Sequence, residues 1–179
     1  SKKLYEKLKL IRSHGRQTNS NYFQTNKTPK YISLGYNWRM SSMTAALGIS
    51  QLSKLDKLIS KRRTNAQSLS SKLNKHSKII LPFNYKNHNS VFQLFSIRVT
   101  DGLRDNLMAF LTNKGIMSKI FFEPVHLSKF YSKNINKKIV LPITEKISQQ
   151  VLTLPMYPSL TKSDLNFISD SIDEFMETL

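Results

Sequence analysis

Residues 34–48, LGYNWRMSSMTAALG, are the most informative stretch of this 179-residue chain. A turn of alternating aromatic and polar residues runs directly into a helix of small residues. Ser41 or Ser42 can cap that helix, because a serine hydroxyl accepts hydrogen bonds from the first helical amides. The turn places the amide of Asn37 and the guanidinium of Arg39 beside a helix start, where an anion is readily held. Taken alone, these residues also fit an ordinary polar turn with an exposed arginine.

The helix that follows the turn is expected to run for about 30 residues, since apolar side chains recur at helical spacing as far as Leu73. The run Lys61–Arg62–Arg63 is expected to be solvated on its surface. Residues 3–13 predict an earlier helix, and no strand is expected before residue 79.

From residue 79 onward, short strands and helices alternate. Strands are expected at residues 79–81, 91–99, 116–122 and 151–154, and helices at residues 103–113 and 145–150. Asp101 is a candidate cap for the first of these helices. The last helix opens at Thr161, and Asp164 follows at the spacing of a capping box. This order predicts a compact α/β sandwich of about 100 residues.

Composition excludes several classes of protein. The chain has no cysteine, so disulfide and thiol chemistry are not expected. Its four histidines have no zinc-binding spacing, so no metal site is expected. No apolar run approaches the roughly 18 residues of a membrane span. The polar start does not resemble a signal peptide, which favours a cytoplasmic protein, and the initial Ser indicates a start part-way into a longer product.

The formal net charge of +17 is unevenly distributed. Residues 1–63 contain 14 Lys and Arg against two acids, a net of +12, whereas the last helix is acidic. A lysine-rich composition and solvated helix faces are sufficient to explain this charge. Nucleic acid is therefore not the expected partner. A basic half that faces phosphorylated small molecules or an acidic partner subunit also fits.

Four blocks of the chain, in order, resemble the DegT/DnrJ-type sugar aminotransferases, which depend on pyridoxal phosphate. The blocks are LIRSHGR at residues 10–16, LGYNWRM with AALGISQLSKLD at residues 34–40 and 45–56, RRTNA at residues 62–66, and a C-terminal group with GI at 115–116, PVHL at 124–127 and LPMYPSLT at 154–161. Together they span nearly the whole chain. This resemblance favours a ligand-binding role for Asn37 over an ordinary turn.

The resemblance implies an α/β fold of the fold-type-I aminotransferase kind. Residues 1–60 would be the C-terminal remnant of the large cofactor-binding domain and the start of a long connecting helix. Residues 61–179 would be the small C-terminal α/β sandwich domain. Because family members work as dimers with shared active sites, a homodimer, or a dimer with an intact homologue, is expected.

The resemblance also implies roles for three residues. Asn37 would contact the phosphate of pyridoxal phosphate in the partner subunit. Arg39 would lie on the substrate side of the site, near the phosphates of a nucleotide sugar. His126, which by its local sequence fits either a ligand contact or a turn histidine bonded within the protein, would border the same pocket.

The lysine that carries the cofactor in such enzymes is not assigned in this chain. In the family it precedes a Gly-Glu-Gly-Gly-like segment, and no such segment follows Lys2 or Lys3. The expected function is therefore the C-terminal portion of an aminotransferase that moves an amino group from glutamate to a keto-sugar nucleotide, for amino-sugar and surface polysaccharide synthesis. The portion alone is expected to be inactive. The alternative is a non-catalytic basic binding or regulatory protein that retains the small-domain fold.

Overall fold

The computed structural model describes residues 1–17, 28–82, 88–134 and 139–179. They form two compact units, Ser1–Lys54 and Leu55–Leu179. The described elements of the first unit are α1 (Lys2–Ile11), β1 (Arg16–Gln17), β2 (Lys30–Tyr31) and α2 (Ser42–Leu52). Those of the second are α3 (Leu55–Leu73), β3 (Ile79–Ile80), β4 (Phe95–Val99), α4 (Arg104–Asn113), a 3-10 turn (Val125–Leu127), α5 (Lys129–Asn134), α6 (Pro142–Ser148), β5 (Val151–Leu154) and α7 (Lys162–Glu177).

The first unit contains a short strand pair that the sequence does not predict. β1 and β2 are antiparallel, with Arg16 opposite Tyr31 and Gln17 opposite Lys30. Two-residue strands are too short to show the alternation by which strands are recognised. The predicted cap of α2 is confirmed, since the hydroxyl of Ser41 accepts a hydrogen bond from the amide of Thr44 at 3.2 Å.

The expected 30-residue helix is interrupted, because α2 ends at Leu52 and α3 begins at Leu55. At the break, the amide of Lys54 donates to the carbonyl of Gln51, three residues back instead of four. The hydroxyl of Ser53 also donates to the carbonyl of Ser50 at 2.9 Å. Side-chain bonds of this kind compete with the regular helical ladder, which explains why the apolar spacing alone did not predict the break.

The core of the second unit lies between a three-stranded antiparallel sheet and helices. β4 is the central strand, flanked by β3 and β5. Alternate residues of β4 are fully buried, and Ile97 lies opposite the buried Leu152 of β5. These side chains form one cluster with apolar residues from three helices, represented by Leu69 of α3, Leu107 of α4 and Ile172 of α7. Helices packed on a sheet confirm the predicted α/β class.

Several local predictions in this unit are wrong. The strand expected at residues 91–99 begins only at Phe95. Residues 116–122 do not form a strand; Lys119 exchanges two backbone hydrogen bonds with Thr153 of β5, and the pairing extends no further. Asp101 does not cap α4, since it lies in a turn with φ of 58° and the helix begins after Leu103 without a side-chain cap. The capping box of Thr161 and Asp164 at the start of α7 is confirmed.

Lys61 and Arg63 of the predicted charge run are exposed, as expected, whereas Arg62 is half-buried, and both arginines bond to backbone carbonyls. One guanidinium nitrogen of Arg62 donates to the carbonyl of Met156 at 2.8 Å and to the carbonyls of Phe92 and Gln93 at 3.2 Å. Arg63 donates to the carbonyl of Ser90 at 2.9 Å. These two arginines therefore tie α3 to the segment before β4 and to the segment after β5.

A second tie joins the end of α3 to α7. Asp173 accepts hydrogen bonds from Lys75 and from Nε2 of His76, both at 2.6 Å. Partial burial raises the pKa of Asp173, but the hydrogen bonds and positive charges of Lys75 and His76 lower it by more, so that the pKa lies below its usual value.

We expect D173N to reduce the free energy of unfolding by about 1–2 kcal/mol near pH 7, because both donors lose a charged acceptor. Since the pKa of Asp173 is lowered in the folded state, its contribution is full above the pKa of the unfolded chain. The contribution is lost as the pH falls through the folded-state pKa. Urea unfolding of wild type and D173N from pH 7 down to pH 3 measures the difference, which should shrink at the acid end.

The matched control is E177Q, which removes an exposed acid from the same helix. It should leave the free energy of unfolding within about 0.5 kcal/mol of wild type. A difference between D173N and wild type that stays constant over the whole pH range would contradict the assigned role of Asp173.

Candidate functional site

The turn at residues 34–40 is fastened to the end of α1 by backbone hydrogen bonds. Ser13 and Asn37 form an antiparallel bridge. The bonds are from His14 N to Tyr36 O (2.9 Å), from Tyr36 N to Ile11 O (2.7 Å) and from Trp38 N to Arg12 O (3.0 Å). The first two blocks of the family resemblance therefore meet in space and form one local structure.

Two glycines allow this close approach. Gly15 has φ of +68°, and a Cβ at this position would lie 1.7 Å from the carbonyl oxygen of Ser33. A Cβ at Gly35 would lie 2.0 Å from the backbone nitrogen of Gly15. Both distances are far inside van der Waals contact, so any larger residue would separate the two segments.

The turn contains a stacked aromatic pair. The rings of Tyr36 and Trp38 have centroids 4.4 Å apart and planes inclined by 9°. Asn37 lies between them in the sequence. Asn37 and Arg39 are both exposed and make no hydrogen bond to another described side chain or backbone group.

This arrangement leaves hydrogen-bond donors free for a ligand. An asparagine amide offers two N–H groups and a guanidinium offers five. Both lie just before α2, whose cap at Ser41 is formed. A fixed turn with unpaired donors next to a helix start suits an anion such as phosphate.

The rest of the first unit exposes its apolar side chains. Among its described residues only Gly15 is buried, and α2 has no buried residue although it is apolar around most of its circumference. Met43, for instance, is 85 % exposed. Helices of this composition are normally enclosed by protein.

His126 lies in the second unit, in the 3-10 turn. Its side chain is only 8 % exposed, and Nε2 lies 3.1 Å from Oε1 of Glu145 in α6. Sequence reasoning missed Glu145. The sequence contains one signal that could have identified Glu145. Between Asp105 and Glu145 the only acid is Glu123, so acidic residues are rare in this part of the chain.

The described ranges contain neither a metal-binding cluster nor a helix that could span a membrane. There, no group of three or more His, Cys, Asp and Glu side chains could hold a metal ion. Across the same ranges, every helix is too short or too polar to cross a membrane.

Comparison with known structures places the chain among proteins of aminotransferase fold. DesV of S. venezuelae matches with a TM-score of 0.82 and 28 % identity over 100 % of this chain and 46 % of its own. Residues 1–173 match the model of the DegT/DnrJ/EryC1/StrS aminotransferase family. The chain belongs to that family, as its four sequence blocks predicted.

Two curated relatives have similar sequences. A protein of Geobacillus stearothermophilus named "Pleiotropic regulatory protein" is 30 % identical over 96 % of this chain and 44 % of its own length. The GDP-perosamine synthase of Escherichia coli O157:H7 is 31 % identical over 79 % of this chain and 38 % of its own length. The chain thus spans less than half the length of the curated relatives it matches.

We expect G15A to displace the turn at residues 34–40, because the new Cβ would collide with the carbonyl of Ser33. The single tryptophan of the chain, Trp38, reports on the turn. Loss of the stacked pair should change the near-ultraviolet circular dichroism and shift the emission of Trp38.

G102A is the matched control, since Gly102 has φ of +71° but open space around its Cβ position. It should strain its own turn without changing the signals of Trp38. Unchanged signals in G15A would show that the two segments do not depend on this contact.

Proposed function

We propose that this chain is the C-terminal part of a pyridoxal-phosphate-dependent aminotransferase that acts on a keto-sugar nucleotide in the cytoplasm, with glutamate as the amino donor. The observation that carries the proposal is the fixed turn that presents Asn37 and Arg39 with unpaired donor groups. Family membership and the sugar nucleotide in the name of the E. coli relative support it.

The residues of the turn fit a phosphate-bearing cofactor. Pyridoxal phosphate, when bound, supplies the electron sink that amino-group transfer needs. Asn37 would donate hydrogen bonds to its phosphate in the active site of the partner subunit. Arg39 would bind phosphate oxygens of the nucleotide sugar, for which a planar guanidinium is well suited. His126 would border the sugar in the small domain.

We further propose that the chain is inactive alone. No lysine in it is assigned as the cofactor-bearing residue, so a covalent cofactor link is not expected from these 179 residues. The uncovered α2 and its apolar neighbours fit a protein surface contributed by the portion of the relatives that this chain does not match. A homodimer, or a dimer with an intact homologue, would then complete the shared sites.

A regulatory role is the second candidate. It is favoured by the name of the Geobacillus relative and by the net charge of +17. A basic regulatory protein would bind nucleic acid with an affinity that falls steeply with salt. Filter binding at 50 and 200 mM salt separates the candidates, since the aminotransferase proposal requires no such affinity.

We expect N37A to weaken cofactor binding about 10- to 150-fold, the effect of losing a hydrogen bond to a charged group, about 1.5–3 kcal/mol. The measurement uses a chimaera in which this chain replaces the matching part of the E. coli GDP-perosamine synthase. Titration with pyridoxal phosphate, followed by absorbance, gives the dissociation constant for each variant.

The control is N106A, which removes the exposed amide of an asparagine in α4. It should bind the cofactor as the unmodified chimaera does. Equal affinity of N37A and N106A would contradict the role of Asn37, and a chimaera that folds but binds no cofactor would contradict the proposed function.

A further inference from the structure

Glu145 joins the 3-10 turn to the start of α6 through one carboxylate oxygen. Its Oε1 lies 3.1 Å from Nε2 of His126 and accepts a hydrogen bond from the amide of Leu141 at 2.9 Å. In return, the amide of Glu145 donates to the carbonyl of Leu141 at 2.9 Å. The carboxylate therefore fixes the start of α6 and the 3-10 turn at the same point.

This carboxylate is held by a rigid element. The carbonyl of Ser148, at the end of α6, accepts a hydrogen bond from Arg104 of α4 at 2.8 Å. Just beyond α6, Oε1 of Gln150 accepts two hydrogen bonds from Arg98 of β4, at 2.8 and 3.1 Å. Through these contacts, α6 is fixed to the core, and Glu145 is fixed with it.

The geometry determines which nitrogen of His126 carries a proton. A carboxylate oxygen only accepts hydrogen bonds, so Nε2 of the ring must be the donor. When the ring is neutral, the other nitrogen, Nδ1, is then unprotonated and acts as an acceptor. Nδ1 makes no hydrogen bond to another described residue and is not among the fully enclosed polar atoms that lack a partner.

The neighbours of His126 face outward. Val125 is 64 % exposed and Leu127 is 46 % exposed, whereas the histidine between them is held inward by Glu145. The turn thus combines two exposed apolar side chains with Nδ1 of His126, which is not hydrogen-bonded to any described residue. That combination suits a sugar, which offers apolar C–H faces and hydroxyl donors.

We propose that Glu145 is a positioning residue: it sets the orientation and the protonated nitrogen of His126, so that Nδ1 accepts a hydrogen bond from a donor such as a sugar hydroxyl. The identification of the donor as a sugar hydroxyl rests on the proposed function, whereas the positioning role of Glu145 does not. It predicts that His126 has one defined tautomer in the chain by itself, with no cofactor or substrate present.

The experiment is a long-range proton–nitrogen spectrum of the imidazole groups in the ¹⁵N-labelled 179-residue chain, at a pH where the rings are neutral. We expect the proton of His126 on Nε2, with a downfield resonance that reflects its bond to a carboxylate. In E145Q this resonance should move upfield or be lost to exchange with water, while the backbone spectrum of the β4–β5 region stays unchanged.

E123Q is the matched control, because it removes an exposed acid from the same segment. It should leave the His126 resonances as in wild type. A proton on Nδ1 in wild type would overturn the proposal even if E145Q failed to fold, and so would an unchanged His126 spectrum in E145Q. If the spectra are as expected but the chimaera binds no cofactor, the proposed function fails and the positioning role stands.

Discussion

The close backbone approach of Gly15 and Gly35 is the constraint on which the candidate site depends. With hydrogen atoms in place of side chains, the end of α1 and the turn at residues 34–40 come near enough to exchange three backbone hydrogen bonds. Those bonds fix the direction of the turn, which carries Asn37 between Tyr36 and Trp38 in the sequence, and the rings of these two neighbours stack on each other. Backbone contacts within the first unit thus determine the conformation of the candidate site, without an apolar core among the described residues of that unit.

The second unit is stabilised by an apolar core, whereas the candidate site of the first unit depends on backbone contacts. Its fold rests on a continuous apolar core between the sheet and α3, α4 and α7, and the arginines of α3 fasten the edges of that core. A unit with its own core can hold a pair such as His126 and Glu145 in fixed geometry. The first unit has no such core among its described residues, and its apolar side chains are exposed.

The elements with long and regular patterns were predictable from the sequence. Apolar residues alternate with polar ones along β4, and α7 has an apolar stripe and a capping box at Thr161. Each of these patterns predicted an element that the structure contains. The failures have local causes, such as the side-chain bond at Ser53 that interrupts the long helix. Arg62 could not be assigned either, because its carbonyl partners are brought near only by the tertiary fold. In the candidate site, the resemblance pointed to Asn37 and Arg39, whereas Glu145 emerged only from its contact with His126.

The central claim is that this chain provides the phosphate-binding turn of an aminotransferase but not the lysine that carries the cofactor. Its most direct test is to incubate the 179-residue chain with pyridoxal phosphate, reduce with borohydride and map the modified lysines by mass spectrometry. The account predicts weak labelling scattered over exposed lysines and no transaminase activity. Stoichiometric labelling of one lysine, with activity that is lost when that lysine is replaced, would contradict it.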